Sequence, residues 1–260
     1  MEGIRRERRG QVLEVTIDRP KANAIDAATS RELGRAFTEF RDDPGLAVAI
    51  VTGAGERFFS AGWDLKAEAA QTGGPEDYGP GGFGGLTEMF DLQKPVIAAV
   101  NGWAAGGGLE IALACDLIVA AEGVRFALPE VRRGLVPDAG GVLRLPERLP
   151  RALAMEMLLT GREMDAAEAH ERGLVNRVVA PGELMAEARS LAERIASAAP
   201  LAVRAVKAIV AATEGIPVRD GYELLRQGGV PAYDRSNSSQ DATEGPRAFA
   251  EGREPEWKGE

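Results

Sequence analysis

The chain has 260 residues, of which 45% are apolar and 27% charged, and its 31 basic against 40 acidic side chains leave a net charge of −9. This is soluble globular composition for one large domain, or a large domain with a smaller appendage, and an acidic chain without a Lys/Arg patch argues against nucleic acid as a partner. A single cysteine excludes an intrachain disulfide, no apolar run is long enough to span a bilayer, and MEGIRRERRGQVLEV lacks the apolar core of a signal peptide, so the expected compartment is the cytoplasm, with no membrane partner.

The arginines of IRRERRG suggest a solvated strand edge, and Val12, Val15 and Ile17 a first strand, stopped by Arg19-Pro20. Asp26 is placed to N-cap a helix over 27–41 that carries Leu33, Phe37 and Phe40 on one face. LAVAIVTG (46–53), PVIAAVNG (95–102) and DLIVAA (116–121) are continuous apolar runs, as buried strands require. AAQTGGPEDYGPGGFGG (69–85) has no periodicity and suggests a mobile loop of a length that is often functional. Strands alternating with helices to about residue 180 indicate an α/β domain. From 181 the pattern is helical: PGELMAEARSLAERIASAAP and PLAVRAVKAIVAAT each open on a first-turn proline, and short helices follow near 217–228 and 239–251. The expected organisation is an α/β core over 1–198 and a helical region over 199–260.

Several chemistries lack their residues. His170 is the one histidine and Cys115 the one cysteine, the first on a surface helix and the second on a buried apolar segment, so a His/Cys metal site has almost no ligands and the case for a histidine-based hydrolase is weakened. FFSAGWD and TGAGERF imitate a nucleophile elbow and a dinucleotide loop, yet Phe58 stands where each needs glycine. Carboxylates and backbone amides remain.

They concentrate in three segments. NGWAAGGGLEIALACD (101–116) reads as a turn into a helix whose first residues, Gly106 to Gly108, expose free N–H groups beside Glu110. A tightly packed helix end, with Glu110 merely complementing the dipole, accounts equally well for that stretch alone. FFSAGWDL (58–65) offers Ser60, Ala61 and Gly62 after a buried strand, and FALPEVRRGLVPDAGG (126–141) carries Glu130 and Asp138. Taken singly, Glu130 suits a surface acid and Asp138 a helix cap. Two amides converging on one oxygen, with two carboxylates beside it, would suit enolate chemistry.

AIVTGAGERFFSAGWDL, KPVIAAVNGWAAGGGLEIALACDLIVA and FALPEVRRGLVPDAGGVLRLP resemble the crotonase (enoyl-CoA hydratase/isomerase) superfamily in order and spacing, and DRPKANAID and EGPRAFAEGREPEWKG extend the resemblance over nearly the whole chain. RPKANAID, FFSAGWDLK, YGPGGFGGLTE, LVPDAGGVLRLP and EPEWKG are most similar to its carnitinyl-CoA-dehydrating branch. The resemblance implies a spiral of ββα units with a C-terminal helical region, assembled as a homotrimer or a dimer of trimers. It implies an acyl-CoA substrate, no permanently bound cofactor and no metal. It puts the oxyanion-hole amides on Ala61 and Gly107 and the catalytic carboxylates on Glu110 and Glu130. Lys21, Ala22, Ala24, Gly62, Trp63, Asp64 and Leu65 would line the coenzyme A channel, and Trp103, Gly106, Pro129 and Asp138 complete the expected substrate- and CoA-binding set. A trimethylammonium group suits aromatic faces, for which Trp63, Trp103, Tyr78, Phe83 and Phe90 are the candidates. Asp138 is open to three roles: facing a cationic substrate, assisting proton transfer, or capping a helix. The expected reaction is reversible syn hydration of an enoyl-CoA; a general hydratase, an isomerase, and a non-catalytic acyl-CoA or RNA-binding relative are the alternatives. One departure stands in the tail, where Glu251-Gly252-Arg253 lacks the lysine that many relatives direct at a CoA phosphate, leaving Arg253 or Lys258 to substitute.

Overall fold

The computed structural model describes residues 3–65 and 77–260. Its contacts divide the chain into two compact units, one running from the N-terminus through Asp91 with Val96–Ala192, the other comprising Leu92–Pro95 with Glu193–Glu260.

In the first unit, successive strands from β3 to β8 alternate between two sheets. β1 (Ile4–Arg9), β2 (Val12–Ile17), β3 (Val48–Gly53), β5 (Val96–Val100), β7 (Leu117–Ala121) and β10 (Arg177–Val179) form one sheet in that order. β4 (Phe58–Ser60), β6 (Trp103–Ala105), β8 (Arg125–Ala127) and β9 (Met164–Asp165) form the other. Between β3 and β8 the chain thus passes from the long sheet to the short one and back, winding a coil of ββα units as expected. β3 and β5 are buried at every residue, which is why they read as unbroken apolar runs rather than alternating ones.

Asp26 does cap α1 (Ala27–Asp42), its carboxylate accepting the Thr29 N–H at 2.8 Å, and Leu33, Phe37 and Phe40 point into the core. IRRERR forms the solvated edge strand that its arginines suggest, antiparallel to β2. Only Ile4 of it is buried, so its pairing with β2 and not its hydrophobicity makes it a strand. Arg5, Arg6 and Arg8 pair with Asp18, Glu39 and Asp43 along this edge. WAA forms β6 where a simple turn was expected, because Phe58 and Ser60 of β4 supply its ladder partners. α2 (Gly107–Ala114), α3 (Gly141–Arg148), α4 (Arg151–Thr160), α5 (Ala166–Glu171) and α6 (Leu184–Ala196) follow. On α6, Arg189 clamps the buried carboxylate of Glu14 on β2 with two bonds of 2.7 and 2.8 Å across 175 residues of sequence.

The second unit contains α7 (Pro200–Thr213), α8 (Val218–Arg226), α9 (Pro231–Asn237) and α10 (Gln240–Glu251). Pro200 starts α7 as read, and α9 is an additional short helix between the two expected ones. Among the described residues no single helix is long and apolar enough to cross a membrane.

Candidate active site

β4, β6 and β8 run parallel, and the chain leaves the C-terminal end of each directly into one of the three candidate segments. Residues 61–65 follow β4, residues 106–110 follow β6, and residues 128–130 follow β8. The carboxyl ends of adjacent parallel strands are where α/β proteins gather ligand groups, because their loops open to the same side.

Gly106 is the pivot of the middle segment. Its φ of 56° and ψ of −129° turn the chain from β6 into α2, while its N–H donates to Ala127 O at 2.9 Å. A side chain there would meet Glu130 Oε1 at 2.5 Å, so the Glu130 carboxylate lies directly against this turn. The adjoining Gly107 N–H heads α2, and among the described residues no acceptor takes it.

The partner amide differs from expectation. The Ala61 N–H donates to Ala22 O at 3.0 Å and the Gly62 N–H to Ser60 Oγ at 3.0 Å, so neither faces a ligand, and Ala61 is not an oxyanion-hole donor. Residues 61–64 run as a parallel bridge beside the 19–25 turn, Ile25 donating to Gly62 O and accepting from the Asp64 N–H. In such a bridge the intervening residue turns its own N–H to the opposite side. That residue is Trp63, and the α-carbon before it abuts the Gly107 nitrogen, which a side chain on Gly62 would meet at 2.5 Å.

Glu110 is 3% exposed and fixed by the turn ahead of α3, its Oε1 accepting the Gly141 N–H at 2.8 Å, with the Ala139 N–H also bonded to the carboxylate. Burial pushes its carboxyl up to about 7; these bonds oppose that rise, and the negative charges of Glu130 and Asp138 add to it. Glu130 opens the 3₁₀ turn Glu130–Arg133, and its carboxyl is raised chiefly by burial and further by Asp138, with Arg133 pulling the other way. Its Oε2 is buried without a hydrogen-bond partner. Asp138 is exposed and does not cap α3: the N-cap there is Gly140, which has no side-chain capping bond. Among the described residues no three His, Cys, Asp or Glu side chains come together as a metal site.

The 19–25 turn and the 61–65 segment lie side by side, joined by the Ile25–Trp63 bridge. Lys21 and Asn23 adopt left-handed conformations, at φ of 75° and 49°. Asn23 is buried and ties the turn down through bonds to Arg19 N, Ala54 O and Phe58 O. Ala22 and Ala24 accept from Ala61 N–H and the Arg19 guanidinium, Arg19 also pairs with Asp26 and Asp64, and Leu65 is exposed at the rim. Pro129 immediately precedes Glu130 as the N-cap of its turn.

Trp63, Tyr78 and Phe83 meet edge to face, with ring centroids 5.3, 5.8 and 6.0 Å apart. This trio adjoins the free amide, since a side chain on Gly107 would strike Phe83 Cε1 at 2.4 Å. Ser30 of α1 holds the segment in place, donating to Tyr78 O at 2.8 Å and accepting the Gly84 N–H at 3.0 Å. The part of the glycine-rich loop over 69–76 lies outside the described residues. Two other aromatics do not join. Trp103 stacks on Phe58 at 5.8 Å and lines a separate cleft of about 390 Å³ with Glu56, Asn101, Arg125 and Glu163; Phe90 is 82% exposed. Trp103 is thus not placed with the acyl-group candidates, because alternation along β6 sends its ring to the opposite face from the residues around Gly106.

A model of the enoyl-CoA hydratase/isomerase family matches residues 7–260. The chain belongs to the enoyl-CoA hydratase/isomerase family. It is 61% identical to the carnitinyl-CoA dehydratase of Proteus mirabilis (strain HI4320) over 96% of each chain, and 59% identical to that of Citrobacter koseri over 99% of each. Among solved structures, enoyl-CoA hydratase from Mycobacterium tuberculosis H37Rv superposes with a TM-score of 0.91 at 45% identity, covering 100% of both chains. Enoyl-CoA hydratase from Bacillus anthracis does so at 0.89 and 36% identity over 99% of this chain and 100% of its own.

In this family member the supporting residues were the ones hardest to find from sequence. Ser30, Asn23 and the Ala139 and Gly141 amides touch no reacting atom in any motif, and only the glycines after Asp138 hinted at amides holding a carboxylate. The tail arginine is engaged within its own helical region: Arg253 bonds Glu244 at 2.6 and 3.0 Å and Glu251 at 2.6 Å.

Proposed function

We propose that this enzyme reversibly removes water from carnitinyl-CoA to give crotonobetainyl-CoA. The observation that carries the reading is the unbonded Gly107 N–H, with the Glu130 carboxylate against the preceding glycine and the Trp63–Tyr78–Phe83 trio against Gly107 itself. The thioester oxygen accepts from the Gly107 N–H and, as second donor, the Trp63 N–H. These donors favour the enolate, which lowers the barrier to removing the α-proton.

Glu130, whose Oε2 is buried and unsolvated, takes that proton as the Cα–H pair moves into the enolate. As the enolate collapses, the Cβ–O bond breaks and Glu110 protonates the departing hydroxyl, giving water. A carboxyl pushed up to about 7 carries that proton over a useful fraction of time at neutral pH. Hydration is the same path reversed, with addition and elimination syn because both carboxylates act from one side. The trimethylammonium group lies against the aromatic trio, whose faces attract a cation without demanding a hydrogen bond.

The 19–25 and 61–65 segments form the coenzyme A channel, and the C-terminal helices mediate assembly as a homotrimer or a dimer of trimers in the cytoplasm. Val206, Val210 and Phe249, between 62% and 89% exposed, support that role. The deciding experiment compares kcat/KM on crotonobetainyl-CoA and crotonyl-CoA. Preference for the first is expected; preference for crotonyl-CoA overturns the carnitinyl reading.

A further inference from the structure

α3 lies beside the site and is fastened around it at three points. At its C-terminal end Arg148 donates to the Leu113 and Cys115 carbonyls at 3.2 and 2.9 Å, which pins it to the last turn of α2. At its N-terminal end the Gly141 N–H holds Glu110, also on α2, at 2.8 Å. Between these ends the Arg144 guanidinium donates to Thr87 O at 2.7 Å, on the segment that follows the aromatic trio.

That segment is the fixed side of the latch. Thr87 is buried and donates through its hydroxyl to Phe83 O at 3.0 Å. Phe83 packs against Gly107, and Gly84 lies so close to α2 that a side chain there would run into Ile111. From α1 the Ser30 hydroxyl holds the Gly84 N–H. The head of α3 has weaker support from its own residues. Ala139, Gly140 and Gly141 carry no side chain beyond a methyl, the cap makes no side-chain bond, and Gly140 stands at a φ of 108°. Arg144 folds back over this turn, and a side chain on Gly140 would collide with its guanidinium. One arginine therefore touches both the turn that aims Glu110 and the segment that walls the Gly107 amide.

Gly107 and Glu110 are three residues apart on one helix, so their backbone spacing is set by α2 alone. The direction of the Glu110 carboxyl is not; it follows the 139–141 turn to which it is bonded. We propose that Arg144 is a positioning residue for the elimination step: by tying the head of α3 to residues 83–87, it holds the Glu110 carboxyl in line with the β-oxygen of a thioester bound at Gly107. The inference rests on the proton transfers proposed above and adds what sets their geometry. Loss of Arg144 leaves α3 pinned at Arg148 and frees its head, so Glu110 shifts with the turn. Glu130, which lies against Gly106, and the Gly107 amide keep their places.

Two reactions separate these groups. Dehydration of carnitinyl-CoA uses Glu110, whereas α-proton exchange on its deoxy counterpart, γ-butyrobetainyl-CoA, uses only the amides and Glu130. That chain has no β-hydroxyl to lose, so Glu130 takes the α-proton, a solvent deuteron returns to the same carbon, and C–H becomes C–D. In Arg144→Met, kcat for dehydration falls about 10- to 100-fold, while exchange in D2O, followed by mass spectrometry, stays within about threefold of the unaltered enzyme. Arg144→Lys keeps a donor for Thr87 O and shows the same split at smaller size, which preserves the comparison if the methionine variant does not fold. Equal losses in both reactions, or undiminished dehydration, overturn the role of Arg144 and leave the proton transfers as assigned. Failure of the unaltered enzyme to exchange the α-proton overturns the enolate mechanism and this inference with it.

Discussion

Glu110 is a residue that the proposed chemistry needs and that costs the fold stability. The unfolded chain releases this proton near pH 4.5, the ordinary glutamate value, whereas burial in the folded protein holds it up to about 7. Stability from this group is therefore lost as pH rises through that window and stays lost above it. Glu110→Gln should leave thermal stability nearly unchanged at pH 4 and raise it at pH 8, by about 3 kcal/mol at most. The same substitution, like Glu130→Gln, should lower turnover by roughly two to four orders of magnitude. Near-normal turnover in either variant would remove that residue from the mechanism. The oxyanion donors can be tested without touching a side chain, by replacing one backbone amide with an ester. At Trp63 the replacement should cost about 100- to 1,000-fold in kcat. At Ala61 it removes only the bond to Ala22 and should act on stability.

At the scale of elements, what sequence made legible were features carried by residues close together in the chain. The Asp26 cap, the buried runs of β3, β5 and β7, and the glycine-led start of α2 each follow from local pattern. β6 escaped because its ladder partners, not its own composition, make it a strand. The two glutamates and Gly107 were legible as a triad of types; the misplacement of one amide onto Ala61 came from pairing with the 19–25 turn, which no local pattern announces. The grip of α1 on residues 78–84 was equally hidden. Ser30→Ala leaves Tyr78 O and the Gly84 N–H without their common hydroxyl and should cost about 1–3 kcal/mol. Because that segment carries two of the three rings, KM for crotonobetainyl-CoA should rise more than KM for crotonyl-CoA, as steady-state kinetics on both would reveal.

Across the molecule, the Glu14–Arg189 pair ties α6 to β2. Arg189 holds the Glu14 carboxyl below its ordinary range, so the pair's contribution is present above about pH 4.5 and is lost as pH falls through the lowered value. Arg189→Met should destabilise the protein by roughly 1–3 kcal/mol at pH 7. Denaturant melts repeated at pH 3 should show that difference shrinking, Arg9 being the remaining cation within reach at 3.1 Å. An equal loss at both pH values would assign the effect to packing of the arginine stem.

The parallel order of β4, β6 and β8 has one more consequence. Neighbouring strands are held about 4.8 Å apart by backbone hydrogen bonds, so the three site segments hang from a ladder whose rungs do not depend on their side chains. On the proposed mechanism, capture of the thioester is set by main-chain atoms and the fate of the enolate by the acids that stand at 110 and 130. Activation and outcome are thereby separable traits. The amide variant Glu130→Gln should still bind an acyl-CoA with nearly unaltered Kd, a loaded enzyme with nothing to finish the reaction. New chemistry on this scaffold would require exchanging side chains while leaving the ladder as it is.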